Sequence, residues 1–114
     1  MGVRSKGTIA LTKATPVVLF EELTAANFPG IYGGKVDLTQ LADVADEINI
    51  KLEVKYDTAS AYRNAETATF KQADKIYRIT PVEEAFGYKL TIELLAASPS
   101  ATASLEFVIT RNAI

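Results

Sequence analysis

The feature that most limits what this chain can fold into is the run Ile48-Asn49-Ile50-Lys51-Leu52-Glu53-Val54-Lys55-Tyr56. Every even position is apolar and every odd one is polar. A helix advances about 100° per residue and would scatter these apolar side chains around its circumference. A strand turns successive side chains to opposite faces and gathers Ile48, Ile50, Leu52, Val54 and Tyr56 on one of them. Such a strand has one buried and one wet face, and it needs neighbouring strands to be stable.

The rest of the chain supplies them. Tyr88-Lys89-Leu90-Thr91-Ile92-Glu93-Leu94 repeats the alternation. After the turn formers Ala97-Ser98-Pro99-Ser100 comes Ser104-Leu105-Glu106-Phe107-Val108-Ile109-Thr110, and the pair reads as an antiparallel hairpin with a longer loop. Thr8-Ile9-Ala10-Leu11-Thr12 alternates more weakly. Pro16 opens Val17-Val18-Leu19-Phe20-Glu21, which is apolar on both sides and is expected to be buried on both. Lys35-Val36-Asp37-Leu38-Thr39, Glu66-Thr67-Ala68-Thr69-Phe70 and Lys75-Ile76-Tyr77-Arg78-Ile79 complete the set. About eight short strands with turn signals roughly every 8–12 residues predict a sandwich or barrel. Two stretches read as short helical turns: 39–45, with Thr39 as N-cap, and 81–85, with Pro81 at a first helical position.

The expected architecture is all-β, an antiparallel β-sandwich of about eight strands, jelly-roll-like, with at most one or two short helical turns. An immunoglobulin-like sandwich and a small closed barrel are the competing folds, and the immunoglobulin hallmarks of a Cys pair and a Trp are missing. The expected core is Ile48, Ile50, Leu52, Val54, Leu90, Ile92, Leu94, Leu105 and Phe107, with the rings of Tyr56 and Tyr88 in phase with it. At 114 residues, with no internal repeat or linker, residues 1–114 form a single domain.

Composition narrows function mainly by exclusion. Histidine and cysteine are both absent, which removes the usual zinc sites, thiol nucleophiles and Ser-His-Asp triads. Twelve basic and 14 acidic residues give a formal charge of −2, against the basic face that direct nucleic-acid binding requires. No apolar run approaches the ~18–20 residues of a membrane span. No apolar segment follows the basic residues of Met1-Gly2-Val3-Arg4-Ser5-Lys6, so neither membrane insertion nor a signal peptide is expected. Nor does that start meet the myristoylation pattern, which places a hydroxyl residue where Lys6 stands. No cofactor, metal or small-molecule substrate is expected.

Three groups of residues stand out as candidates. Asn27-Phe28-Pro29-Gly30-Ile31-Tyr32-Gly33-Gly34 sets Phe28, Ile31 and Tyr32 among turn formers. It reads either as an exposed contact loop or as a loop that folds its aromatics over one end of the sandwich. Its glycines do not make a phosphate loop, because no G-x-x-x-x-G-K-[ST] occurs. Residues 1–6 read as an extended N-terminal arm that contacts a neighbouring subunit, with Val3 and, at the far end, Ile114 as apolar anchors. Arg4 and Lys6 would pair there with acids of the partner. The carboxylates Asp43, Asp46, Glu47 and Asp57 lack calcium-loop spacing, and Glu83-Glu84 are adjacent where glycosidase carboxyls must face each other across a cleft. Both sets read as solvated charge. Tyr56, Tyr62, Tyr77 and Tyr88 are dispersed, as are Arg63, Arg78 and Arg111, so neither a stacking platform nor a basic stripe is expected.

The order of elements resembles a group of small β-sandwich proteins from virions of tailed and other double-stranded DNA viruses. The resemblance rests on a Gly-Thr-Ile-Ala-Leu-Thr strand, a Thr-Pro-Val-Val-Leu-Phe strand, a Gly-then-Val-Asp-Leu strand with Leu41-Ala42-Asp43 behind it, and the Tyr-Lys-Leu-Thr-Ile-Glu-Leu strand. It spans residues 7–111 and is one of pattern, with no catalytic motif to carry over. It implies a jelly-roll-like capsid or decoration protein of the virion, partnered by copies of itself or by other virion proteins. Beside that structural subunit stand two alternatives: a binding module for sugar or protein that uses residues 28–32, and a small carboxylate enzyme.

Overall fold

The computed structural model describes residues 2–22, 29–57, 59–84 and 86–113. Eight strands follow in order: β1 (Gly2–Thr12), β2 (Val17–Glu22), β3 (Gly30–Asp37), β4 (Glu47–Val54), β5 (Arg63–Lys71), β6 (Ile76–Glu84), β7 (Tyr88–Leu94) and β8 (Thr102–Ala113). Two single turns of 3-10 helix, Leu38–Gln40 and Gln72–Asp74, are the only helical elements among the described residues. None is long and apolar enough to cross a membrane.

The strands form two four-stranded antiparallel sheets. Sheet A has the order β1-β8-β3-β6 and sheet B the order β2-β7-β4-β5. First pairs with last, second with seventh, third with sixth and fourth with fifth. This is one long hairpin rolled over itself, the jelly-roll arrangement that the strand count and spacing predict. The predicted β7–β8 hairpin does not form. β7 lies in sheet B and β8 in sheet A, so residues 95–101 cross between sheets.

The sheets close on a continuous core. Ile48, Ile50, Leu52, Leu90, Ile92, Leu94 and Leu105 are buried as expected, while Val54 and Phe107 are half-buried and pack against the cluster. The core also takes Leu11, Leu19, Tyr32, Val36, Leu38, Leu41, Ile79, Tyr88 and Ile109. Lys51 and Glu53 are half-buried on the opposite face, which fixes the phase of β4 as read from the alternation.

Several local expectations are corrected. β2 is not buried on both sides: Leu19 points inward, but Val18 is exposed. Tyr56 continues the alternation of β4 yet lies beyond its last paired residue, Val54, and its ring stands exposed beneath the Arg63 guanidinium, 4.3 Å from the ring centre. The 3-10 turn at Leu38 starts two residues early, capped by Asp37, whose carboxylate accepts from the Thr39 backbone N–H at 3.0 Å. Pro81 does not open a helix. It lies within β6, and an edge strand tolerates a residue with no backbone N–H.

The arm reading is corrected too. Residues 2–6 belong to β1 and pair with β8 of the same chain, Gly2 opposite Arg111 and Lys6 opposite Val108. One side of the segment's backbone is paired with β8; β1 is an edge strand, and its other side faces away from the sheet.

Candidate functional site

The two outer faces of the sandwich differ in how their charges are laid out. On sheet B the signs alternate. Glu53 lies between Lys51 at 3.9 Å and Lys89 at 4.0 Å, and Glu47 pairs with Lys71 at 3.7 Å. Such interleaving is the ordinary wet face of a sheet, each pair contributing little by itself.

Sheet A is sorted into rows. The register sets Lys6 of β1 beside Val108 of β8, Val108 beside Lys35 of β3, and Lys35 beside Arg78 of β6. Three cations therefore lie in one line across the sheet, all exposed and none within ion-pair distance of a carboxylate among the described residues. Two residues further along each strand, Thr8 sits opposite Glu106, and Asp37 opposite Ile76. Glu106 and Asp37 lie just beyond the last β3–β8 pair, Val36–Phe107; there the Glu106 backbone N–H donates to Gln40 and Asp37 caps the 3-10 turn, and both residues line one hollow. A cationic row thus adjoins an acidic one. Like charges directly opposite each other across strands are unfavourable, and Lys35–Arg78 is such a pair.

On the other side of the cationic row the face is apolar and hollow. Val3 pairs with Thr110, and Thr110 with Gly33, which lies opposite Thr80 and Pro81 where the β3–β6 ladder slips register. Next comes Asn112 beside Ile31. Val3 is 60% exposed and Ile31 39%, while Ile76, in the acidic row, is 40% exposed. An open hollow of about 740 Å³ lies here, bounded by Val3, Ile31, Gly33, Pro81, Val108 and Thr110. A smaller one of about 290 Å³ lies on the acidic side, walled by Asp37, Ile76, Glu106 and Phe107. Lys35 and Val108 border both, so they form a ridge between the two hollows.

The two glycines that floor this region have different causes. Gly34 has φ +148°, and a Cβ there would collide with the Val108 carbonyl oxygen. Gly33 would carry a Cβ at ordinary contact distance, 3.6 Å from the Ile79 oxygen, so packing does not demand its bareness.

The residues singled out in the sequence divide accordingly. Val3, Lys6 and Ile31 come together on this outer face. Arg4 is the extra residue of a bulge in β1, and its Nε and Nη2 both reach Glu22 Oε1 of sheet B, at 2.6 and 2.5 Å. Tyr32 is no exposed loop residue. It lies in β3, fully buried, with its ring stacked on Tyr88 at 4.8 Å and tilted against Phe20 at 6.4 Å. Phe28 and Ile114 lie outside the described residues. Lys35, Arg78, Val108 and Glu106 were not marked by the sequence. They are distant in the chain, and only the strand register brings them together.

The carboxylates are not all solvated. Asp46 is fully buried and accepts from the Ser100 backbone N–H at 2.9 Å, the Ser100 hydroxyl at 2.6 Å and the Asp43 N–H at 3.1 Å. Burial opposes its ionisation, but the hydrogen bonds from Ser100 and Asp43 together prevail and hold its pKa below the usual carboxylate value. Glu84 is buried as well and accepts from the Phe86 N–H at 2.8 Å. Both carboxylates tie loops to strands. Among the described residues no three Asp or Glu side chains gather as metal ligands.

No protein-family model matches this chain, and no curated protein sequence does. Solved structures do match in fold. The crystal structure of PirA aligns over 94% of this chain and 93% of its own, with a TM-score of 0.65 and 11% identity. A structure of Bacillus endospore appendages, described as a novel family of disulfide-linked pili, aligns over 99% and 89%, with a TM-score of 0.54 and 18% identity. The Nora virus structure aligns over 94% and 55%, with a TM-score of 0.41 and 12% identity, too weak to argue from. At these identities the likeness establishes the jelly-roll fold alone.

Proposed function

We propose that this protein is a non-enzymatic structural subunit that assembles through the outer face of sheet A, as a capsid or decoration protein of a virion or a comparable particle does. The observation that carries this reading is the contrast between the two faces. Sheet B interleaves its charges in the manner of a surface meant for water. Sheet A separates them into rows and sets exposed Val3, Ile31 and Ile76 beside them. A protein contact gains from both features, since it covers apolar area and supplies the opposite charges. The fold is in keeping with the reading, because a pilus-forming chain shares it. That chain is described as disulfide-linked. This one has no cysteine, so its own assembly would rest on non-covalent contacts.

The test is the native mass across a concentration series, by sedimentation velocity and mass photometry, with electron microscopy of any large species. Discrete multimers are expected. A monomer up to the solubility limit would overturn the reading.

A further inference from the structure

We propose that the outer face of sheet A seats an extended segment of a different protein, one whose acidic side chain lies between Lys35 and Arg78 and whose apolar side chains, two and four residues on, fill the hollow beside them. This states the chemistry of the partner, and it rests on the reading of that face as a contact surface.

Charge carries the argument first. Lys35 and Arg78 are direct neighbours across the β3–β6 ladder, and both are exposed. Such a like-charge pair is unfavourable, and among the described residues no carboxylate stands within ion-pair distance of either. On sheet B, by contrast, Lys51, Lys71 and Lys89 each have one. A carboxylate brought between Lys35 and Arg78 relieves their repulsion and makes two charged contacts at once. Charge also orients the segment. Four residues along β3 from Lys35, Ile31 lies opposite Glu83, which is exposed. A second acid at that end would be opposed, so the acid of the segment belongs at the Lys35 end.

Shape agrees with charge. The hollow of about 740 Å³ starts at Lys35 and Arg78 and passes Gly33, Thr110 and Pro81 to reach Ile31. At the rise of a strand, Gly33 is roughly 6.6 Å from Lys35 and Ile31 roughly 13 Å. An extended segment laid along β3 has the same rise. Its same-side residues i, i+2 and i+4 therefore fall over Lys35, Gly33 and Ile31 in turn.

Gly33 supplies an independent reason. The fold does not require a glycine there, since a Cβ would meet only ordinary contacts, the nearest at 3.6 Å. Its bare backbone keeps the floor of the hollow open at the point where the first apolar side chain of the segment enters. Thr110 and Asn112, half-buried in the same wall, offer a hydroxyl and an amide to the segment's backbone. A second copy does not lend its own run of this pattern, Glu66-Thr67-Ala68-Thr69-Phe70, because Phe70 packs against the core.

The probes are capped synthetic peptides with the cores Glu-Thr-Val-Thr-Val, Lys-Thr-Val-Thr-Val and Glu-Thr-Ser-Thr-Ser, titrated into the full chain at low salt and followed by NMR. The first should shift the methyl signals of Val3, Ile31 and Val108. Its Kd should fall at roughly 0.1–1 mM, in keeping with a contact far smaller than a standard interface. The other two should bind about tenfold more weakly. In the double variant K35E/R78E the lysine peptide should bind better than the glutamate peptide. In Gly33→Val the glutamate peptide should lose about tenfold in affinity, since the added side chain fills its seat. Unchanged melting temperatures verify the fold of both variants.

Equal binding of the glutamate and lysine peptides, shifts confined to another surface, or undiminished binding to Gly33→Val overturns the proposal. If the protein is multimeric and the glutamate peptide does not bind, the proposal is overturned while the structural-subunit reading stands. If the peptide binds and breaks the multimers apart, a copy of the chain holds the seat, and the separate partner is overturned. If a strictly monomeric protein binds the peptide as described, self-assembly is overturned and the proposal stands.

Discussion

At the scale of single residues, the fold depends on a few groups whose roles are set by what they touch. Asp46 is one. Its carboxylate joins the start of β4 to the β7–β8 connection through Ser100, 54 positions away. Asp46→Asn keeps the size and loses the charged acceptor, and should cost about 1.5–3 kcal/mol near neutral pH by chemical denaturation. Because the native pKa is depressed, the stability supplied by the carboxylate is present above the ordinary value of about 4 and is lost as pH falls through the lower native one. The gap between wild type and variant should therefore close in acid. Tyr88 is the opposite case. Its hydroxyl is buried with no hydrogen-bond partner among the described residues, and burial raises its pKa. Tyr88→Phe should stabilise the protein by about 1 kcal/mol. It should also lessen alkaline unfolding, since a raised tyrosine pKa means stability that is complete below about pH 10 and lost as pH climbs toward the native value. Gly33 and Gly34 form a matched pair: Gly34→Ala should lose at least about 1–3 kcal/mol to backbone strain, whereas Gly33→Ala should melt like the wild type.

At the scale of elements, stability is divided between central and edge strands. Leu52 of β4 is buried between β7 and β5, and Leu52→Ala should cost about 2–5 kcal/mol, checked by urea unfolding. Deleting residues 2–6 should lower the melting temperature, because the segment pairs with β8 and brings Arg4 to Glu22. An unchanged melt would return these residues to the role of a free arm. The strands themselves were legible in the sequence wherever one face is dry and the other wet, as β4 and β7 are. The errors have identifiable causes. Alternation continues through Tyr56 although pairing stops at Val54, since period two records side-chain direction and not hydrogen bonding. Pro81 suggested a helix start because Pro favours both that position and the edge of a sheet, and the local sequence does not distinguish the two. β7 and β8 read as a hairpin because neighbours in sequence usually pair, and a rolled hairpin sends this pair to different sheets. Asp46 read as solvated because its partner is remote. The candidate surface was the least visible of all. Lys6, Lys35 and Arg78 look scattered in the sequence, and only the registers of β1, β8, β3 and β6 set them in one row.

At the scale of the whole molecule, the pairing of first strand with last, second with seventh and third with sixth makes most contacts distant in sequence. Long loops must close before those contacts stabilise anything, so folding should be slow for a chain of this size, in the millisecond-to-second range by stopped-flow fluorescence of the tyrosines. The same topology has a consequence for synthesis. β8 is the final strand, yet it is not an edge: it lies between β1 and β3 and supplies the partner that each needs. A growing polypeptide that has not reached Thr102 holds β1 with no partner strand at all, and its β3 is bonded on one side only. Sheet B has its full complement by Leu94, so the two layers mature at different moments. Until the closing strand inserts, the inner surface of sheet B stands uncovered beside unpaired backbone. Any protection of this domain during translation must last until β8 has emerged, and a ribosome stalled before Thr102 leaves a nascent product poised to aggregate.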